Sequence, residues 1–187
     1  MIAEIEREFP SFRLRMKRDS GGQRAIDWAL RLITFGGQRG YLDQYHTTIG
    51  YSIYLADRWD EMDDLECYIL LRHELVHLRQ FRRYTRPGMA FLYLFVFFPF
   101  GLAWFRARFE REAYAETLAA TAECYGLEAL DDELREYVVE QFVGPAYAWM
   151  WPFRGAIESW YEGEVAQLRR RSTIEGSAGE PSGGGVA

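Results

Sequence analysis

Cysteine is almost missing from this chain: Cys67 and Cys124 stand far apart among 187 residues, in no C-x-x-C or Cys/His pattern. That excludes a disulfide framework and a thiolate zinc site, and both thiols read as reduced. An excess of positive charge is missing too. The net charge is −6 with both signs interspersed, which excludes nucleic-acid binding through a basic surface. The first eight residues are acidic and lack the basic start and apolar run of a secretory signal, so the expected location is the cytoplasm. No internal repeat is visible. Histidine is scarce, with three residues in all, and their placement turns out to matter.

The length suits one domain able to bury a real core without cross-links. Apolar residues recur at helical spacing over residues 20–35, and the pattern stops at Gly36-Gly37. Residues 41–56 change to β-formers, with Tyr45, Thr47, Ile49, Tyr51, Ile53 and Leu55 on one parity and Gly50 as a bulge or kink, the texture of a strand or a short strand pair. Acidic N-cap material at 60–64 precedes a helix over 65–84, which Arg86-Pro87-Gly88 should end. Further helices are expected over 106–125, closed by Gly126, over 134–143, and over 153–171. Residues 172–187 are mostly Gly, Ser, Glu and Pro with little to bury and read as a disordered tail after a single domain of 1–171. The expected class is α+β, predominantly α, with a short β element before the long helix.

Inside that helix stands His73-Glu74-Leu75-Val76-His77. Residues four apart share a helix face, so two imidazoles can meet one ion at about 2.0 to 2.1 Å from each nitrogen. Glu74, one step round from His73, reaches the edge of such a site as a general base for a metal-activated water. With so few histidines, two at this spacing around a glutamate arise by accident on the order of a few times in a thousand. The pattern H-E-x-x-H resembles the zincin metallopeptidases. This resemblance implies a zinc ion, a peptide or protein substrate, and a third protein ligand that leaves the fourth position to water.

Gln80 and Arg83 stand where the metzincin branch would place glycine and histidine, which removes that branch. The gluzincin branch takes a glutamate from a later helix, followed four residues on by a carboxylate that braces a zinc histidine. Glu112 and Glu116 match that arrangement, with Glu112 as third metal ligand and Glu116 behind it. Glu110 should point away, since two residues advance about 200° around a helix. Alanines 113, 115, 119 and 120 would let this helix approach the motif helix closely. A deformylase-like amidase, which takes an upstream cysteine, is disfavoured because Cys67 shares the helix of His73 and cannot turn back to the same ion. The resemblance also implies an edge strand near residues 47–55 on which a peptide lies. A donor for the tetrahedral oxyanion is needed, and Tyr147, Tyr161 and His46 are all open candidates.

One apolar run, residues 89–105, raises the question of a membrane. It is interrupted by Pro99 and Gly101 and falls short of the roughly 20 residues a span needs. A crossing would also leave Glu112 about 30 Å from the histidines. A buried hairpin or a peripheral contact with a membrane surface remain. The expected protein is therefore a zinc metallopeptidase, with a catalytically silent, membrane-associated binding or scaffold protein of the same fold as the alternative.

Overall fold

In a computed structural model, residues 1–24, 27–28, 45–85, 88, 103–144 and 150–178 are described. Helix α1 (Ile2–Glu8) leads into strand β1 (Arg13–Met16), whose side chains alternate between exposed and half-buried. Residues 21–24 and 27–28 are helical, in keeping with a helix beginning near residue 20, while the rest of that expected helix lies outside the described residues. The β-rich stretch resolves into two strands, β2 (Thr47–Ile49) and β3 (Ser52–Leu55). Ile49 pairs with Ser52 in an antiparallel register, so Gly50 and Tyr51 form a two-residue hairpin loop. Gly50 has φ of 63°, the positive value a type II′ turn requires at its first central position.

The sheet order is β1-β3-β2, with β1 parallel to β3. Leu14, Ile53 and Thr48 are register partners and therefore share one face of the sheet. That face packs on helix α2 (Asp64–Tyr84), which presents Leu71, Leu75 and Leu78 to it and, with Ile5 of α1 and Phe9 just after that helix, closes one apolar cluster. A capping box starts α2: the Asp63 side chain accepts from the Glu66 amide at 2.8 Å, and the Glu66 carboxylate accepts from the Asp63 amide at 3.0 Å.

Helix α3 (Trp104–Tyr125) runs beside α2 and ends at Gly126, whose φ of 88° confirms the expected glycine terminus. Helices α4 (Asp132–Val143) and α5 (Arg154–Ala178) pack on the far side of α3 around Leu118, Val138, Phe142 and Ile157, a second apolar cluster. The chain is thus α+β and predominantly α. One boundary differs from expectation: α5 continues past Ser172 to Ala178 instead of giving way to a tail. A helix needs no buried face to run on for two turns when its own backbone bonds persist. The Thr173 hydroxyl donates to the Arg169 carbonyl at 3.0 Å, as threonine does within a helix. Most of the apolar run, 89–102, lies outside the described residues. Among the described residues no helix is long and apolar enough to cross a membrane.

Candidate metal centre

The seam between α2 and α3 is polar, although apolar clusters flank it on both sides. From α2 it receives His73, Glu74, His77 and Gln80, and from α3 Glu110 and Thr117. Glu74, His77, Gln80 and Glu110 are all buried. Ala113 and Ala120 on α3, both fully buried, supply the small side chains that the close helix approach needs.

His73 Nε2 and His77 Nε2 are 3.2 Å apart, and Glu110 Oε2 lies 3.8 Å from the first and 3.7 Å from the second. Around a tetrahedral zinc ion with bonds near 2.0–2.2 Å, ligand atoms lie about 3.3 Å from one another. Three atoms at these separations, two imidazole nitrogens and a carboxylate oxygen, fit that geometry and the metal's ligand preference. The tautomers fit as well. The Thr117 hydroxyl reaches the Ala113 carbonyl at 3.3 Å and His73 Nδ1 at 2.9 Å; with its hydrogen on the carbonyl, that nitrogen is the donor. Gln80 Oε1, an acceptor only, faces His77 Nδ1 at 2.9 Å. In that arrangement both neutral histidines carry a hydrogen on Nδ1 and turn the lone pair of Nε2 toward the other. Two facing lone pairs beside a carboxylate call for a cation between them.

Without a metal a proton meets part of that demand. Burial works against charge on both rings, but the carboxylates of Glu110 and Glu74 outweigh it at His77 and push its pKa up to about 9. Burial and the charge on His77 bring His73 down to about 3. A divalent cation would compete with the His77 proton for the site.

Glu74 lies next to this group with its carboxylate oriented from the sheet. The Thr48 hydroxyl donates to Glu74 Oε2 at 2.6 Å, so the edge strand β2 fixes the rotamer of the motif glutamate. Burial raises the Glu74 pKa against the lowering influence of His77 and of that hydrogen bond. Lys17, fully buried at the end of β1, sits in the field of Glu74 and Asp27. Burial brings its ammonium down to about 7 against their pull. The Tyr114 ring meets His73 edge-on at 4.9 Å and walls the site from the α4–α5 side.

Two sequence expectations are corrected here. Glu110, expected to point away, is the carboxylate that joins the histidines, whereas Glu112 is exposed on the neighbouring face, 3.6 Å from Arg108. Glu112 still touches the periphery of the site by accepting from Gln80 Nε2 at 3.0 Å. Glu116 does not brace a histidine; it pairs with Arg72, which also holds Glu123 at 2.9 Å. The bracing groups are Thr117 and Gln80. Glu110 and Thr117, seven residues apart across Ala113, lie on one stripe of α3. Of the oxyanion candidates, Tyr161 points its hydroxyl at the Asp131 carbonyl, 3.4 Å away among the C-terminal helices. Tyr147 lies outside the described residues. His46 accepts from the Ala56 amide through Nδ1 at 3.2 Å, which leaves a buried Nε2–H with no hydrogen-bond partner among the described residues.

No protein-family model matches this chain. Neither the curated proteins nor the solved structures compared with it give a match. Function has to be read from the chemistry of the seam itself.

Proposed function

We propose that this chain is a zinc-dependent metallopeptidase of the zincin type, in which His73, His77 and Glu110 hold the ion and Glu74 carries the proton. The observation behind this reading is the convergence of those three ligand atoms within 4.8 Å of one another beside a buried carboxylate that the sheet holds in place. A zinc ion there would lower the pKa of a bound water to about 7 and polarise a substrate carbonyl. Glu74 takes the proton that the water loses as its oxygen adds to the carbonyl carbon, and returns it to the departing amine nitrogen. The carboxylate's buried setting, which favours its protonated form, suits the second half of that cycle.

The sheet supports a peptide as substrate. Among the described residues β2 pairs only with β3, and its Thr48 is the residue that touches Glu74. A peptide added to the outer edge of β2 would run past the catalytic carboxylate with its main chain hydrogen-bonded. The same arrangement would serve a binding protein that keeps the metal and turns nothing over, and Glu74 separates the two.

Elemental analysis of purified protein after zinc loading is the decisive measurement. About one zinc per chain is expected for the wild type, near zero for Glu110→Ala, and close to the wild-type value for Glu112→Ala. Glu74→Gln should retain the metal and lose about 10²–10⁴-fold in hydrolysis of a peptide library. A wild type that takes up no metal would end the enzyme reading; a Glu112→Ala protein that loses it while Glu110→Ala does not would move the third ligand back to Glu112.

A further inference from the structure

On the other side of α3 from the metal seam lies a cavity of about 410 Å³ between α3, α5 and the segment at Trp151. The volume is in the range of small-molecule sites, which run from about 300 to 1,000 Å³. Its walls are the indoles of Trp104, Trp151 and Trp160 together with charged side chains of both helices. The cavity is firmly framed: the Trp151 amide donates to the Phe142 carbonyl at 2.9 Å, and the Ala103 amide donates to the Met150 carbonyl at 3.1 Å.

Polar groups in those walls are incompletely matched. Arg108 is neutralised by Glu112 at 3.6 Å. Arg111 has no carboxylate within ion-pair distance among the described residues, and its Nε is buried without a hydrogen-bond partner. Its guanidinium carbon stands 5.9 Å from the centre of the Trp151 ring, and the indole N–H of Trp151 is likewise buried and without a partner. Those two buried N–H groups are closed to a ligand in the cavity, which leaves the terminal nitrogens of Arg111 as the donors it can meet. Burial alone is the cause that lowers the Arg111 pKa, as expected for a cation without a counter-charge. Glu164 stands in the same lining, so its four charged side chains balance to zero. One negative charge is accommodated there better than two.

We propose that this cavity binds a small organic monoanion, a carboxylate carried on an aromatic or comparably bulky apolar group. The carboxylate accepts from the terminal N–H groups of the Arg111 guanidinium, and the apolar body lies among the three indoles. An arginine–carboxylate pair shielded from water is strong and directional, and the aromatic walls add stacking area. Multiply charged anions such as phosphates are opposed by Glu164. Nothing in this binding requires the metal seam, which opens on a different face of α3.

The test is isothermal titration of the full chain with 3-phenylpropionate and with 3-phenylpropanamide, which has the same body without the charge. Saturable binding of the acid is expected, with the amide at least about tenfold weaker. Arg111→Met keeps an apolar stem and should weaken the acid by a similar factor, with a smaller loss for Trp151→Phe, which keeps a ring of smaller area. Equal binding of acid and amide by the wild type overturns the proposal, as does the absence of saturable binding of the acid at millimolar concentration. Undiminished binding of the acid by folded Arg111→Met would overturn it as well. If that variant does not fold, the acid–amide comparison on the wild type still decides.

Discussion

Gln80 is the residue on which the two helices of the seam exchange information. Its carbonyl end accepts from His77 Nδ1, while its amide end donates to the Phe109 carbonyl at 3.1 Å and to Glu112. The first contact sets the tautomer of His77; the second holds α3 one residue before Glu110, so that one side chain positions two of the proposed ligands. Replacing it with leucine would free the imidazole to rotate and remove the tie to α3. Gln80→Leu should therefore weaken zinc binding about 10–100-fold, the usual cost of losing a group behind a metal histidine, as read by competition with a chromophoric chelator. Gln80→Glu keeps an acceptor for Nδ1 and should lose less. Equal affinity for wild type and Gln80→Leu would remove Gln80 from this role. Much of the site was legible at this scale: H-E-x-x-H alone places His73, Glu74 and His77 on one helix. The glutamate from α3 was not legible, because Glu110 and Glu112 are both flanked by arginines. Only the rotation of α3 about its axis, set by burial of Tyr114 and Leu118 against α4 and α5, decides which of them faces inward.

At the scale of elements, α1 is short, and it is held to the motif helix by apolar contacts and one ionic cluster. Ile5 and Phe9 enter the cluster under α2, while Glu8 accepts from Arg79 at 2.7 and 3.1 Å and from Arg82 at 2.9 Å. The hydrogen bond from Arg79 is the main reason that the Glu8 pKa lies below its usual value. A carboxylate with a depressed folded-state pKa stabilises above its unfolded value, near 4.5, and loses that contribution as pH falls. These side chains are partly exposed, so Glu8→Gln should cost only about 0.5–1 kcal/mol at pH 7, with the gap closing as pH falls below 4.5, in urea unfolding curves. A gap that persists in acid would mean that Glu8 acts through packing. The elements differ in how openly they were written. The α2 start was legible from its acidic cap, and the α3 end from Gly126. Strand β1 was not: four residues, two of them arginine, become a strand only because β3 offers them a parallel partner.

For the whole molecule, the joint that matters is the one between the sheet and the motif helix, and His46 stands at it. It precedes β2, accepts from the Ala56 amide just beyond β3, and meets Trp59, on the turn that leads to α2, edge-on at 6.3 Å. The imidazole thus clamps the open end of the hairpin that carries Thr48 to Glu74. Burial, reinforced by the charges of Arg58 and Lys17, holds its pKa down to about 4. A protonated Nδ1 could not accept from Ala56, so acid must either break this bond or charge a buried ring. The folded-state pKa lies below the unfolded value of about 6.5; the stabilisation is therefore complete above pH 6.5 and drains away as pH falls toward 4. Allowing for partial exposure, the loss should be on the order of 2 kcal/mol across that window. His46→Asn offers an amide oxygen in place of Nδ1 and cannot titrate. Its stability at pH 7.5 should be somewhat lower for want of the ring against Trp59, but it should fall less steeply between pH 6.5 and 4 than the wild type, in urea titrations of metal-free protein. Comparing the two slopes cancels the titration of the seam histidines, which both proteins share. Parallel slopes would place the acid sensitivity elsewhere, whereas a flattened one would show that His46 keeps the sheet, and with it Thr48 and Glu74, in register with the seam histidines.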